Sequence, residues 1–368
     1  MKQSQIIVGI IGLIFFSHGK GFAQIADKAT DSVKFDYNKI YSFCLDGNIT
    51  PVLALIEYGG EKKISSKDSL FKKTFENRFK YESDRSSFLS DKNSTIDTLL
   101  SIFQNYWRQS LLDNSNKYDS LLWAALHAFL SNTYPALKTR NISKDSVNFY
   151  AKKYIADKGL YMTDGIGRTG KLYDLLVWKT KKDTIYHITS HNETNSAQVI
   201  FMDDFITLGW EEYATLGRYY PGGWATSNAL YCVKAAYNLT SEKFLVSYLA
   251  HESRHFADYK LFPKLASADL EYRAKLIELS LAKKTLYELI YFFIDNANYN
   301  TDNGHSIANY CVIRDLSKSI FKSEFIKDKS EWRKVDSKKI NEASYGILEA
   351  NTKALKLKGR NVERYIKL

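Results

Sequence analysis

Two of the seven histidines in this 368-residue chain stand in the run Leu249-Ala250-His251-Glu252-Ser253-Arg254-His255-Phe256. His-Glu-x-x-His puts its imidazoles at i and i+4. On a helix they share a face, and two ring nitrogens can then reach one metal at about 2.0–2.1 Å. Glu252 follows the first histidine by one position. Its carboxylate can reach a water on the open side of the metal without ligating it. The chemistry this pattern suits is metal-assisted hydrolysis with a carboxylate base. Phe244, Leu245, Tyr248, Leu249 and Phe256 give the segment the apolar bulk of a buried helix, and Pro263 ends it.

A catalytic zinc takes three protein ligands, so a third must follow. A His-Glu-x-x-His-x-x-Gly-x-x-His site is excluded, because Asp258 stands at the glycine position and Leu261 at the last histidine. The next candidates lie on a helix expected over 269–279, where Glu271 and Glu278 are i and i+7 and share a face. Glu271 is favoured, because it comes earlier and small Ala274 one turn on lets the two helices approach. The bland alternative is a solvated glutamate paired with Lys275 at i+4. Asp258 shares the histidine face and can serve either as an orienting carboxylate or as a surface residue at a helix end.

His-Glu-x-x-His on one helix with a glutamate on the next resembles the zincin metallopeptidases, of the gluzincin type. The resemblance is confined to about residues 230–279. It implies zinc held by His251, His255 and Glu271, with Glu252 as general base. It also implies a groove bordered by an edge strand that pairs with an extended peptide, for which Trp224-Ala225-Thr226 or Ala197–Phe205 are available. One departure is visible. The Glu-x-x-x-Asp extension of some gluzincins reads Glu271-Tyr-Arg-Ala-Lys275, so the orienting aspartate is missing. Members of the superfamily also use a His or Tyr to stabilise the oxyanion. His305, in a turn-like loop before an apolar helix, is the candidate here, with Tyr219 and Tyr220 as rivals. Of the other histidines, His127 reads as a core residue, and His187 and His191 as surface or groove residues.

These residues need a scaffold. Residues 24–145 read as a mostly helical accessory domain, with apolar positions at helical spacing in Leu53–Tyr58, Leu99–Trp107 and Leu121–Leu130. Breaks fall at Ser83–Ser87, Asp113–Asp119 and Tyr134-Pro135. From 146 to 368 strands come first and helices after, an α+β arrangement of zincin-like outline. Ser143 is a candidate N-cap. Leu172–Lys179 and Thr184–Thr189, flanking Lys-Lys-Asp, read as a hairpin turning at those charges. Ala197–Phe205 and Leu230–Tyr237 supply further extended segments.

At 45% hydrophobic and 25% charged, the chain is neither disordered nor a polytopic membrane protein. Residues 1–23 read as a signal peptide, with Lys2, the apolar Ile6–Phe16 and small residues at Gly21 and Ala23. The expected location is secreted or periplasmic, in the cell envelope. No lipid-attachment cysteine is near and no transmembrane segment is expected after cleavage. Net charge is +11, or 50 − 41 = +9 without Lys2 and Lys20. Its basic residues are scattered as Lys-Lys pairs among acids, so nucleic acid is not the expected partner. A peptide or protein substrate is. Cys44, Cys232 and Cys311 allow one disulfide at most, and a Cys232–Cys311 bridge stays open. The expectation as a whole is a secreted or envelope zinc metallopeptidase, with a catalytically silent zincin-fold binding module as the alternative.

Overall fold

A computed structural model describes residues 35–60, 64–81, 96–138, 143–191, 193–226, 228–301 and 303–367. The expected signal peptide and the Ser83–Ser87 break lie outside them. The described residues pack as two compact units. One is built from residues 35–181 and Met202–Pro221, the other from Lys182–Phe201 and residues 222–367.

The first unit is helical: α1 (Tyr37–Leu45), α2 (Thr50–Gly60), α3 (Ser66–Phe79), α4 (Asp97–Asp113), α5 (Asp119–Thr133) and α6 (Lys144–Asp157). Side chains of Asp36, Ser65 and Ser143 accept backbone N–H bonds that the first turns of α1, α3 and α6 leave open. α5 stops at Thr133 because Tyr134, before Pro135, takes extended backbone. Phe103, Trp107, Leu126, Ala151 and Trp210 belong to one continuous core. α6 packs on α5, so the junction expected at 145/146 lies inside this unit.

Three two-residue strands follow: β1 (Tyr161–Met162), β2 (Arg168–Thr169) and β3 (Leu172–Tyr173). Then comes a long hairpin of β4 (Leu176–Ser190) and β5 (Glu193–Leu208), whose residues divide between the units. The hairpin does not turn at Lys-Lys-Asp as expected. Those residues lie within β4, where residues 180–183 are exposed and nothing adopts positive φ. Extended backbone suits them because their charges stay in water. The reversal comes after Ser190, where His191 takes φ +53°. A short helix α7 (Trp210–Ala214) completes the first unit.

In the second unit β5 neighbours β7 (Leu230–Val233), and β6 (Gly223–Ala225) forms the end of the sheet beyond it. β6 runs antiparallel to β7 with Trp224 opposite Tyr231, their rings stacked at 5.3 Å. Helices follow. Lys243–Ala250 is wound as a π-helix and runs directly into α8 (His251–Leu261). After Pro263 come α9 (Ser267–Leu281), α10 (Leu286–Asp295), α11 (Gly304–Phe321), α12 (Lys329–Arg333) and α13 (Ser337–Lys358). α9 is the axis of the unit. α8, α11, α13 and the π-helix all pack on it, and it is buried from Ala268 to Ser280. The class is α+β, as expected. Cys232 and Cys311 are buried free thiols, so the open question of a bridge is answered in the negative. Among the described residues no helix is long and apolar enough to cross a membrane.

Candidate metal centre

A helix buried on every side normally carries apolar residues, yet α9 holds Asp269, Glu271, Arg273, Lys275 and Glu278. Each charge has a partner. Asp269 accepts from the Tyr365 and Ile366 amides at 3.0 and 2.8 Å. Arg273 donates to both oxygens of Asp258, at 2.7 and 2.9 Å, and to Asn351 at 2.6 Å, which ties α8, α9 and α13 together. Asp258 is fully buried and also accepts from Arg254 at 2.7 Å. It is therefore neither a surface residue nor the partner of a ligand histidine.

Glu271 and Glu278 meet the histidines of α8. His255 Nε2 lies 3.2 Å from Glu271 Oε1, and His251 Nε2 lies 3.5 Å from Glu271 Oε2. On the other side of the same His251 ring, Nδ1 hydrogen-bonds Glu278 Oε2 at 3.3 Å. The i and i+7 carboxylates of α9 thus bracket one imidazole. Pairing 251 with 278 and 255 with 271 also shows that the two helices run antiparallel. Burial lowers the His251 pKa, but Glu271 and Glu278, one at each ring nitrogen, outweigh it and push His251 up to about 10, so a metal ion would have to displace the Nε2 proton while Nδ1 stays on Glu278. Glu278 supplies the orienting carboxylate that the sequence lacks at position 275, from one turn further along.

His251, His255 and Glu271 each offer a ligand atom, all within 4.8 Å of one another, and all three residues are buried. This group could hold a metal ion, and three observations support the fit. Ligands at 2.0–2.1 Å around a tetrahedral ion stand about 3.3–3.4 Å apart, close to the 3.5 and 3.2 Å found here. His251 Nε2 and both ring nitrogens of His255 are buried without a hydrogen-bond partner, as are both carboxylate oxygens of Glu252. Unsatisfied groups this concentrated call for an ion or a chemical role. Finally, Glu252, Glu271 and Glu278 bring three carboxyl groups to the two imidazoles, a donor set that suits a cation.

Burial is the largest influence on Glu252 and, with Glu271 and Glu278 adding to it against His251, pushes its carboxyl up to about 8. Glu271 goes the other way: burial raises it, but His305, His255 and His251 together hold it well below the carboxylate range. Lys275 stands 3.9 Å from Glu271 Oε2 and 4.8 Å from the centre of the Phe293 ring, buried instead of solvated.

The sequence candidates divide accordingly. His251, His255, Glu252 and Glu271 come together. His305 also reaches the site, but its Nδ1 is 2.9 Å from Glu271 Oε2, so it contacts a candidate ligand. Gly304 makes that approach feasible, because a Cβ there would meet Ser267 Oγ at 2.6 Å and the Ala268 amide at 3.1 Å. Tyr219 belongs to the other unit, packed edge-on against Tyr41. His127 is a satisfied helix histidine on the Leu137 carbonyl at 2.7 Å, and His187 meets Ser196 across the hairpin. His191 stacks on Tyr345 and reaches Ser280 at 3.0 Å. The contact of Glu278 with His251 and the burial of Lys275 are the features not legible in the sequence. The i+7 spacing was the only signal for the first.

None of the protein-family models, curated proteins or solved structures compared with the chain matches it.

Proposed function

We propose that this protein is a zinc-dependent metallopeptidase with a zincin-like catalytic unit, exported to the envelope or beyond. His251, His255 and Glu271 would hold the zinc, a borderline ion suited to two imidazoles and a carboxylate. Zinc, when bound, supplies Lewis-acid polarisation of the scissile carbonyl and acidifies the attacking water. Glu252 takes the water's proton and delivers it to the leaving amine. Glu278 keeps His251 in the ligating tautomer. His305 and Lys275 hold the Glu271 carboxylate. β6 supports the reading further. It is the end strand and packs against α8, so its free edge can pair with an extended peptide near the centre. The single observation that carries the proposal is the buried His251–His255–Glu271 triad beside the unpartnered Glu252 carboxylate.

A second reading is favoured by the burial itself. His251, His255, Glu252 and Glu271 are 4%, 2%, 0% and 4% exposed. A centre so enclosed suits a structural ion that clamps α8 to α9 in a catalytically silent module. One experiment separates the two. Elemental analysis of the purified chain should give about one zinc, and Glu252→Gln should keep it while losing peptide hydrolysis at least about a hundredfold. Zinc in both proteins with hydrolysis in neither leaves the silent module. Iron in place of zinc would point to the two-His, one-carboxylate chemistry of oxygen-activating sites and sink the peptidase.

A further inference from the structure

Folding gathers what the sequence scatters. At the ends of α8 and α13, Lys260, Leu261, Lys356 and Arg360 line a shallow cavity of about 300 Å³ floored by Phe262. Among the described residues, none of these three cations is paired with a carboxylate. Leu261 is 43% exposed, and Leu357, beside Lys356 and Lys358, is 90% exposed. From 353 to 367 the chain carries Lys353, Lys356, Lys358, Arg360, Arg364 and Lys367 against one acid, Glu363, or 6 − 1 = +5 in fifteen residues.

Cations in the last turn of a helix are ordinary, because they complement its carbonyl end. That explains Lys260, Lys356 and Lys358, but not two leucines held out in water among them. Exposed apolar side chains among cations that no described carboxylate neutralises match a surface that is negative at the level of its headgroups and apolar just beneath.

We infer that the basic, exposed region where α8 and α13 end, which carries Lys260, Leu261, Lys356, Leu357, Lys358 and Arg360, docks the second unit onto an anionic lipid surface. Leu357 and Leu261 enter the interfacial layer while the cations meet headgroup phosphates. Lys260 follows His255 by five residues on α8, a rise of about 7.5 Å, so docking would hold the candidate metal centre near the lipid. The inference stands apart from what the centre does.

The test is sedimentation of the full chain with phosphatidylcholine vesicles, with and without phosphatidylglycerol. Binding should require the anionic lipid and weaken with salt. Each charge contributes about fivefold to partitioning, so Lys356→Glu with Lys358→Glu should lower it well over tenfold. Leu357→Asp should lower it severalfold, and millimolar inorganic phosphate should not compete. Both variants change exposed side chains, and unchanged metal content and circular dichroism would show them folded. Retained binding in the charge variant, or equal binding to neutral vesicles, overturns the proposal. So does effective competition by phosphate, which would leave a simple anion site. Capture by heparin with loss of vesicle binding would assign the face to a polyanion instead, and also overturns it.

Discussion

Both units bury carboxyl groups, but to different ends. In the helical unit Asp174 is 4% exposed, and its Oδ1 accepts from the Leu175 and Trp210 amides, each at 2.9 Å. Gly209 at φ +96° admits it, since a Cβ there would overlap the carboxylate at 2.4 Å. Burial pushes Asp174 up to about 6, and burial together with the Asp174 charge pushes Glu211 to about 8. In the second unit Glu252 is raised as far. Yet Asp174 is a peg for the start of α7, with backbone donors and no converging imidazole. Glu252 stands beside two histidines and two further carboxylates. A displaced pKa therefore does not mark a site by itself. What marks it is convergence of complementary donors, and α9 produces that by carrying its charges inward.

The sharpest way to break this contrast is to remove a ligand. His251→Ala or His255→Ala should take metal content from about one per chain to nearly none by elemental analysis. Asp174→Asn should leave it unchanged. If the Asp174 variant loses metal and the histidine variants keep it, the centre has been placed in the wrong unit.

Next in size is the division of labour on α9. Glu271→Ala should cost most of the zinc affinity in equilibrium titration. Glu278→Ala should cost about ten- to a hundredfold through loss of the His251 orientation. The reverse ranking would make Glu278 the ligand.

Each unit should respond to pH through its own raised carboxyl, and Glu211 isolates the share of the helical unit. A carboxyl raised on folding from 4.5 to about 8 gives stability that is whole below about pH 4.5 and lost as pH rises through about 8. Glu211→Gln should therefore raise the apparent Tm at pH 8 and above, by on the order of 4 kcal/mol of stability, and change nothing at pH 4. An equal gain at both pH values would show a packing effect and no buried ionisation. The smallest expected effect is that of Gly304→Ala. The added methyl should destabilise by about 1 kcal/mol and lower metal affinity only severalfold, read by calorimetry, as His305 shifts from Glu271.

The site was far more legible than its setting. That His251 and His255 stand together could be read from i and i+4 sharing a helix face, and the approach of Glu271 from the small Ala274. Helix ends at Ser143 and Tyr134-Pro135 were readable because caps and proline act locally. What was hidden depends on partners far along the chain. That α9 is buried on every side was not legible, because Asp258, Asn351 and His251, the partners of its charges, are 15, 78 and 27 residues away. The hairpin turn falls elsewhere than the sequence suggests, because an exposed strand accommodates charge as well as a reversal does. No local pattern foretold that Met202–Pro221 would rejoin the helices before it.

The enclosure of the centre has a consequence in time. Arg273, bound to Asp258 and Asn351, keeps α8, α9 and α13 together whether or not an ion is present. A solvated chelator cannot touch ligands that are 2–4% exposed. Exchange of a bound ion is then set by how often the helices part, the quantity that amide exchange along α8 reports. Residence would be long even at modest affinity, and an ion acquired during folding would tend to be the ion kept.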